Sequence, residues 1–204
     1  MNKKRLIVGV TGGIGTGKTT VCKIFNILNV PVYDADSAAK RLMQSDRELI
    51  KTIQDTFGDL AYAEGKLNTS YLAERVFSNP QNTELLNRIV HPKVGKDFML
   101  WLEQTTGNSY VIKEAALLFE SGSYRQLDKI IAVTAPLNIR IERVLKRDPH
   151  RTKEQVLNIM DKQWKEEEKI KRSDFVIQND ESSFLIEQVL KIHEQLISLS
   201  HFML

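Results

Sequence analysis

Eight residues near the amino terminus, Gly12-Gly13-Ile14-Gly15-Thr16-Gly17-Lys18-Thr19, fit the pattern G-x-x-x-x-G-K-[ST]. The chemistry open to them is capture of a phosphate chain. Glycines let successive backbone N–H groups turn inward and form a nest for anionic oxygens. Lys18 brings a point charge to the β- and γ-phosphates, and Thr19 offers a hydroxyl to Mg²⁺. Gly13, Ile14, Gly15, Thr16, Gly17, Lys18, Thr19 and Thr20 are therefore candidate nucleotide contacts.

Acids follow. Asp34 and Asp36 stand at the end of an apolar run, Val30-Pro31-Val32-Tyr33. Phosphoryl transfer to an alcohol needs a carboxylate that orients the hydroxyl and accepts its proton. Capping of a helix that starts near Ser37 is the other reading of this pair; it accounts for one acid better than for both. Glu114, after Tyr110-Val111-Ile112-Lys113, is placed to hold Mg²⁺ through water or to serve as a solvated turn residue. Arg140, Arg143 and Arg147 recur at helical spacing, with Arg151 beyond. Such a face can neutralise a triphosphate, or it can be a solvated surface paired with Glu142 and Asp148. His91 reads first as a polar residue at a helix junction, and second as a substrate contact.

These residues need a frame that brings strand ends together. Leu6–Thr11 is an apolar, β-branched run, as expected of a strand buried on both faces. Val21, Ile24, Phe25 and Leu28 give the next segment one helical stripe, whose N-terminus points its partial positive charge at the loop. Further strands are predicted at 30–33, 110–112, 129–134 and 174–177. Ligands of such open α/β sheets sit beyond the carboxyl ends of the strands. Residues 46–92 read as interrupted helices. Gly58 closes the first, Gly65 marks a turn, and Asn79-Pro80 ends the second. His91-Pro92 breaks the third before a fresh helix through Val94, Phe98, Trp101 and Leu102. No strand is expected in this insertion. The arginine helix, a capping box at Thr152-Lys153-Glu154-Gln155 and the helix behind it have the form of a lid, with the charged run 166–172 as its solvated exit. Asn179-Asp180 lies at the tip of the last strand, where contact with a base is plausible. A closing helix over 182–198 turns Leu185, Ile186, Val189, Leu190, His193, Leu196 and Ile197 inward, and the tail His201–Leu204 is expected to fray.

Composition narrows the class. The chain has 204 residues, 29 basic and 26 acidic, for a net charge of +3. That excess is too mild for a nucleic-acid platform and suits a site for small polyanions. Cys22 is the one cysteine, so no internal disulfide can form, as suits a reducing cytoplasm. The apolar run behind the basic start is too short for a signal peptide, and no stretch is long enough to span a membrane.

Taken together the motifs resemble the dephospho-coenzyme A kinases. The match runs through Thr11–Thr19, Asp34-Ala35-Asp36, Phe57-Gly58, His91-Pro92, Leu117-Leu118-Phe119-Glu120, Arg143, Arg147, Gln163 and Ser173–Asn179, nearly end to end. The resemblance implies a P-loop NTPase fold. A five-stranded parallel sheet flanked by helices would form the nucleotide-binding core (1–36, 109–139, 173–204), with a helical coenzyme-A-binding lobe (37–108) and a helical lid (140–172), all in one domain. It implies transfer of the ATP γ-phosphoryl to the ribose 3′-hydroxyl of dephospho-coenzyme A. The candidate base is Asp36. Asp34 assists, Lys18 and Arg143 supply charge, and ATP is held by the loop with Arg143, Arg147 and Asn179. Thr11, Asp36, His91 and Leu118 contact the acceptor, Thr19 and Glu114 serve Mg²⁺, and the expected state is a cytoplasmic monomer. One departure stands at Ala116, where the family usually has proline.

Two rival classes have specific features against them. A regulatory GTPase would need an [NT]-K-x-D motif, which the chain lacks, and its one D-x-x-G match, Asp55–Gly58, ends a helical stripe. Kinases of other small alcohols share the loop and the acids, and only the acceptor separates them.

Overall fold

The computed structural model describes residues 5–77 and 79–202, and of Phe77, Pro80 and Phe202 the backbone alone. In chain order the elements are β1 (Leu6–Thr11), α1 (Lys18–Ile27), β2 (Val32–Asp34), α2 (Ala35–Ser45), α3 (Arg47–Phe57), β3 (Tyr62–Ala63), β4 (Lys66–Leu67), α4 (Thr69–Phe77) and α5 (Pro80–Gln104). Then come β5 (Tyr110–Glu114), β6 (Lys129–Thr134), α6 (Leu137–Arg147), α7 (Lys153–Asp161), α8 (Glu166–Lys171), β7 (Phe175–Gln178) and α9 (Leu185–Phe202). They form two compact units, Met1–Asp34 with Thr105–Leu204, and Ala35–Gln104.

The first unit is built on a five-stranded sheet in the order β2-β5-β1-β6-β7, with every pair parallel. β1 is central and buried on both faces: Leu6, Val8 and Val10 on one are fully buried, and Gly9 and Thr11 on the other are buried beside the half-buried Ile7, as a strand between two parallel neighbours requires. Val21, Cys22 and Phe25 of α1 and Val189, Ile192 and Leu196 of α9 pack into the same core as β1 and β5. Tyr110 joins it edge-on to Phe25, with ring centroids 6.4 Å apart, and its hydroxyl lies 2.7 Å from Nδ1 of His193. His193 thus packs against β5, whereas Ile186 and Leu190 of α9 face solvent and Ile192 takes the inward place. The helix also reaches His201 and Phe202 rather than ending near Ser198; Met203 and Leu204 of the tail expected to fray lie outside the described residues.

The second unit contains α2 to α5 and differs from expectation in two ways. Glu64-Gly65 turns with positive φ at both residues, which closes a two-stranded antiparallel hairpin of β3 and β4. Strands of two residues are too short for alternation to show in a sequence. The second difference is α5, which runs unbroken for 25 residues with Pro92 inside it. Proline deletes one helical hydrogen bond and crowds the carbonyl four residues back. Here the helix continues because Val90, Val94, Phe98 and Leu102 are all buried, one i, i+4 stripe that crosses the proline. Phe98 and Trp101 stack at 5.9 Å. His91 is consequently a residue of a helix interior, not of a junction. Gly58, at φ 96°, ends α3 as expected, and Asp46 caps its start by accepting Leu49 N–H at 3.0 Å. Among the described residues no helix is long and apolar enough to cross a membrane.

Pro92 is exposed, so its ring contributes little packing. Pro92→Ala restores a donor to α5 and is expected to stabilise the protein by about 1–3 kcal/mol in urea denaturation.

Candidate active site

Gly12 to Gly17 link β1 to α1 through a path that requires glycine at positions 15 and 17. Gly15 has φ +82°, and a Cβ there would stand 2.5 Å from the Arg140 carbonyl oxygen. Gly17, at φ +91°, caps α1, and a Cβ there would meet the Asn179 amide nitrogen at 2.2 Å. The loop is therefore wrapped by backbone and by short polar contacts. Thr16 donates its hydroxyl to Gly13 O at 3.0 Å, and Asn179 Nδ2 donates to Thr16 O at 2.9 Å. Lys18 Nζ donates to Gly12 O and Gly13 O at 2.9 and 3.3 Å, arching over the loop's first residues. The helix N-terminus and this ammonium put positive potential where a phosphate chain would lie.

Acids collect at the neighbouring strand ends. Asp34 and Glu114 are register partners at the carboxyl ends of β2 and β5. Asp34 is thus the last residue of its strand, which begins at Val32 rather than Val30. Thr19 donates its hydroxyl to Glu114 Oε1 at 3.0 Å. Glu114 is 6% exposed. Burial first, and the nearby Asp34 charge further down, raise its carboxyl above the ordinary range, against the lowering effect of the Thr19 bond. Cys22 shares this environment; burial and then the Glu114 charge push its thiol far up, so it stays protonated and inert. Two carboxylates and a hydroxyl in partial burial are hard oxygen donors that are mutually unfavourable unless a cation joins them. That set fits Mg²⁺.

The other expected residues are placed as follows. Arg143 donates to Asn179 O at 3.1 Å and pairs with Glu181 at 3.2 Å. Arg147 is exposed in the last turn of α6. Asn179, just past β7, is bonded to the loop and to Arg143, so its amide serves the loop. Thr11 is fully buried, and its Oγ1 has no hydrogen-bond partner. Leu118 is fully buried and packs over β1, where a Cβ on Gly9 would meet it at 2.8 Å. Asp36 lies in the first turn of α2 and His91 in α5, both in the second unit.

Arg140, the first of the arginines at helical spacing, and Gln163 both touch the loop. Arg140 is buried, donates Nε to Ile14 O at 3.0 Å, and pairs with Glu166 at 2.7 Å. Gln163 Oε1 accepts Ile14 N–H at 2.9 Å. The run 166–172 is accordingly no solvated exit: its first six residues form α8, and Lys169 is 2% exposed. Asp148 pairs with Arg151 and not with the arginine face. A cavity of about 650 Å³ opens beside Gly13 and is lined by Arg140, Gln163, Trp164 and Glu166, among others. The sequence signal for these residues was present but ambiguous, because an arginine–glutamate pair 26 residues apart looks like surface charge until the chain folds.

Gly15→Ala has neither the backbone freedom nor the space for its methyl group, and is expected to abolish nucleotide binding measured by calorimetry. Glu114→Gln removes a carboxylate whose charged form is disfavoured by burial. Sign follows from that direction: a folded-state value above the unfolded one means the protein without metal gains stability as pH falls through the raised value and loses it as pH rises. The variant should therefore melt at or above the wild-type temperature at pH 7 without metal, while apparent Mg²⁺ affinity in turnover assays falls by about 10–100-fold.

Comparison with known proteins agrees with this geometry. The family model described as dephospho-CoA kinase matches residues 6–184. The dephospho-CoA kinase of Salinibacter ruber is 44% identical over 176 residues, covering 85% of this chain and 88% of its own. That of Bacteroides fragilis is 35% identical over 196 residues, covering 96% and 95%. A crystal structure of a Thermus thermophilus protein superposes with a TM-score of 0.84 at 35% identity, covering 95% of this chain and 98% of that one. A phosphate loop with acids at the adjoining strand ends, a matching family model across most of the chain, and relatives of this similarity lead to one statement: the chain belongs to the dephospho-CoA kinase family.

Proposed function

We propose that this chain transfers the γ-phosphoryl group of ATP to the ribose 3′-hydroxyl of dephospho-coenzyme A, the last step of coenzyme A synthesis. The observation that carries the reading is the glycine loop with Asp34 and Glu114 paired at the strand ends beside it. Phosphoryl transfer asks a protein for position and charge rather than covalent chemistry. The loop N–H groups and Lys18 hold the β- and γ-phosphates. Thr19 and Glu114 would hold Mg²⁺. When bound, the ion neutralises charge that develops on the phosphate oxygens. Asp36 aligns the 3′-hydroxyl and takes its proton, with Asp34 assisting in its positioning. Arg143 enters as the lid closes and, with Arg147, adds charge to the triphosphate, and Asn179 lies beside the base.

The second unit is the lobe that binds coenzyme A, with Thr11 and His91 on the acceptor's side. Residues 140–172 act as the lid, which shuts out water and limits idle ATP hydrolysis. The one cysteine and the mild net charge of +3 accord with a cytoplasmic monomer whose partners are these two small molecules and not nucleic acid.

The direct test is incubation with ATP, Mg²⁺ and dephospho-coenzyme A, read by mass for coenzyme A, beside shikimate and nucleoside monophosphates as rival acceptors. Turnover of a rival in preference overturns the substrate. Asp36→Asn is expected to bind ATP almost normally and lose about 10²–10⁴ in kcat. Turnover within a few-fold of wild type would reassign the base.

A further inference from the structure

Helix α8 has only six residues but carries two internal ion pairs. Glu166 pairs with Arg140 at 2.7 Å and accepts the Ala135 N–H. Lys169, 2% exposed, pairs with Glu120 Oε1 at 2.9 Å and donates to Ala116 O at 3.3 Å. The same Oε1 accepts the Trp164 N–H at 2.9 Å, and the Trp164 ring stacks on Phe119 with centroids 5.7 Å apart and planes 7° from parallel. The turn after β5 is thus fastened to the segment 164–169 at three points. Gln163 leads that segment. Its Oε1 holds the Ile14 N–H, and Arg140, itself held by Glu166, holds the Ile14 carbonyl. Both backbone groups of the third loop residue are therefore gripped by side chains that this network locates.

A buried ion pair is a poor way to gain stability, since desolvation of two charges offsets most of their attraction. It is a good way to fix one arrangement, because neither charge tolerates losing its partner. Ala116 supplies only a carbonyl to Lys169, so the lysine, not a stiff proline, holds this turn in place.

We propose that Glu120 and Lys169 are positioning residues for the phosphate loop. Their pair sets where Gln163 and Glu166 stand, and through them keeps Ile14 turned so that the remaining loop N–H groups face the triphosphate. The proposal rests on the reading of that loop as the ATP site. It adds a physical link from the turn that follows the Glu114 strand, through the end of the lid, to the loop, so that a loop preorganised in this way pays no ordering cost when ATP binds.

The test measures ATP binding by calorimetry with no acceptor present, together with melting temperature. Gln163→Ala is expected to weaken ATP binding about fivefold, the worth of one neutral hydrogen bond, with melting little changed. The apolar double variant Glu120→Leu with Lys169→Met is expected to melt at or above wild type and still weaken ATP binding at least about fivefold. Lys169→Arg should keep wild-type affinity, as should Lys171→Ala, which breaks the exposed pair with Glu168. In turnover, KM for ATP should rise while KM for dephospho-coenzyme A stays within about twofold. ATP affinity within about twofold of wild type in both Gln163→Ala and the double variant overturns the proposal, and so does a wild-type protein that binds no ATP. A wild type that binds ATP but leaves dephospho-coenzyme A unchanged overturns the substrate assignment alone.

Discussion

The structure depends on how closely the backbone of the phosphate loop approaches its surroundings. A Cβ on Gly12 would come within 2.3 Å of the Val133 carbonyl, and one on Gly15 within 2.5 Å of the Arg140 carbonyl. The loop is pressed against the end of β6 and the start of α6, with Asn179 against the entry to α1. Such contact requires β6 to lie beside β1 and β7 beside β6, all in parallel, so that their carboxyl ends arrive at one edge. Parallel pairing in turn requires helices as crossovers and strands apolar on both faces. The demand for an anion nest at one turn thus constrains strand order, strand composition and the position of α6.

The electrostatics follow from the same edge. Main-chain N–H groups and Lys18 make the loop positive, while Asp34 and Glu114 make the adjoining strand ends negative. Glu114 is held there by backbone register: the Thr19 hydroxyl, the Cys22 thiol and the Lys18 charge together do not offset its burial. A carboxylate kept in a place that disfavours its charge is a local sacrifice of stability, of the sort expected where a cation must be held with few protein ligands.

The region 140–172 shows how charge is distributed between surface and interior. Arg140, Glu166 and Lys169 are drawn into the structure and Arg143 is tied to Asn179, while Arg147, Lys171 and Glu154 stay at the surface. The interior charges all have ionic partners, as desolvation demands. Trp164, over which Arg172 lies at 5.0 Å from the ring centroid, covers the junction with Phe119. The segment is in this way anchored at its end.

Sequence by itself determined the phosphate loop, the five parallel strands, the caps at Gly58 and Thr152, and the family. These are local in origin: periodicity, glycine at forced backbone angles, and capping side chains act over a few residues, so spacing reports them. Tertiary structure decided the rest. The continuity of α5 across Pro92 came from an apolar stripe buried along its whole length. The hairpin at Tyr62–Leu67 came from a turn whose strands are too short to alternate. The burial of Leu118, and the change of Arg140, Glu166 and Lys169 from apparent surface charge to internal pairs, depend on partners 26 to 126 residues away. Burial and ion pairing are properties of what comes to stand next to a side chain in space, and no local pattern carries that information.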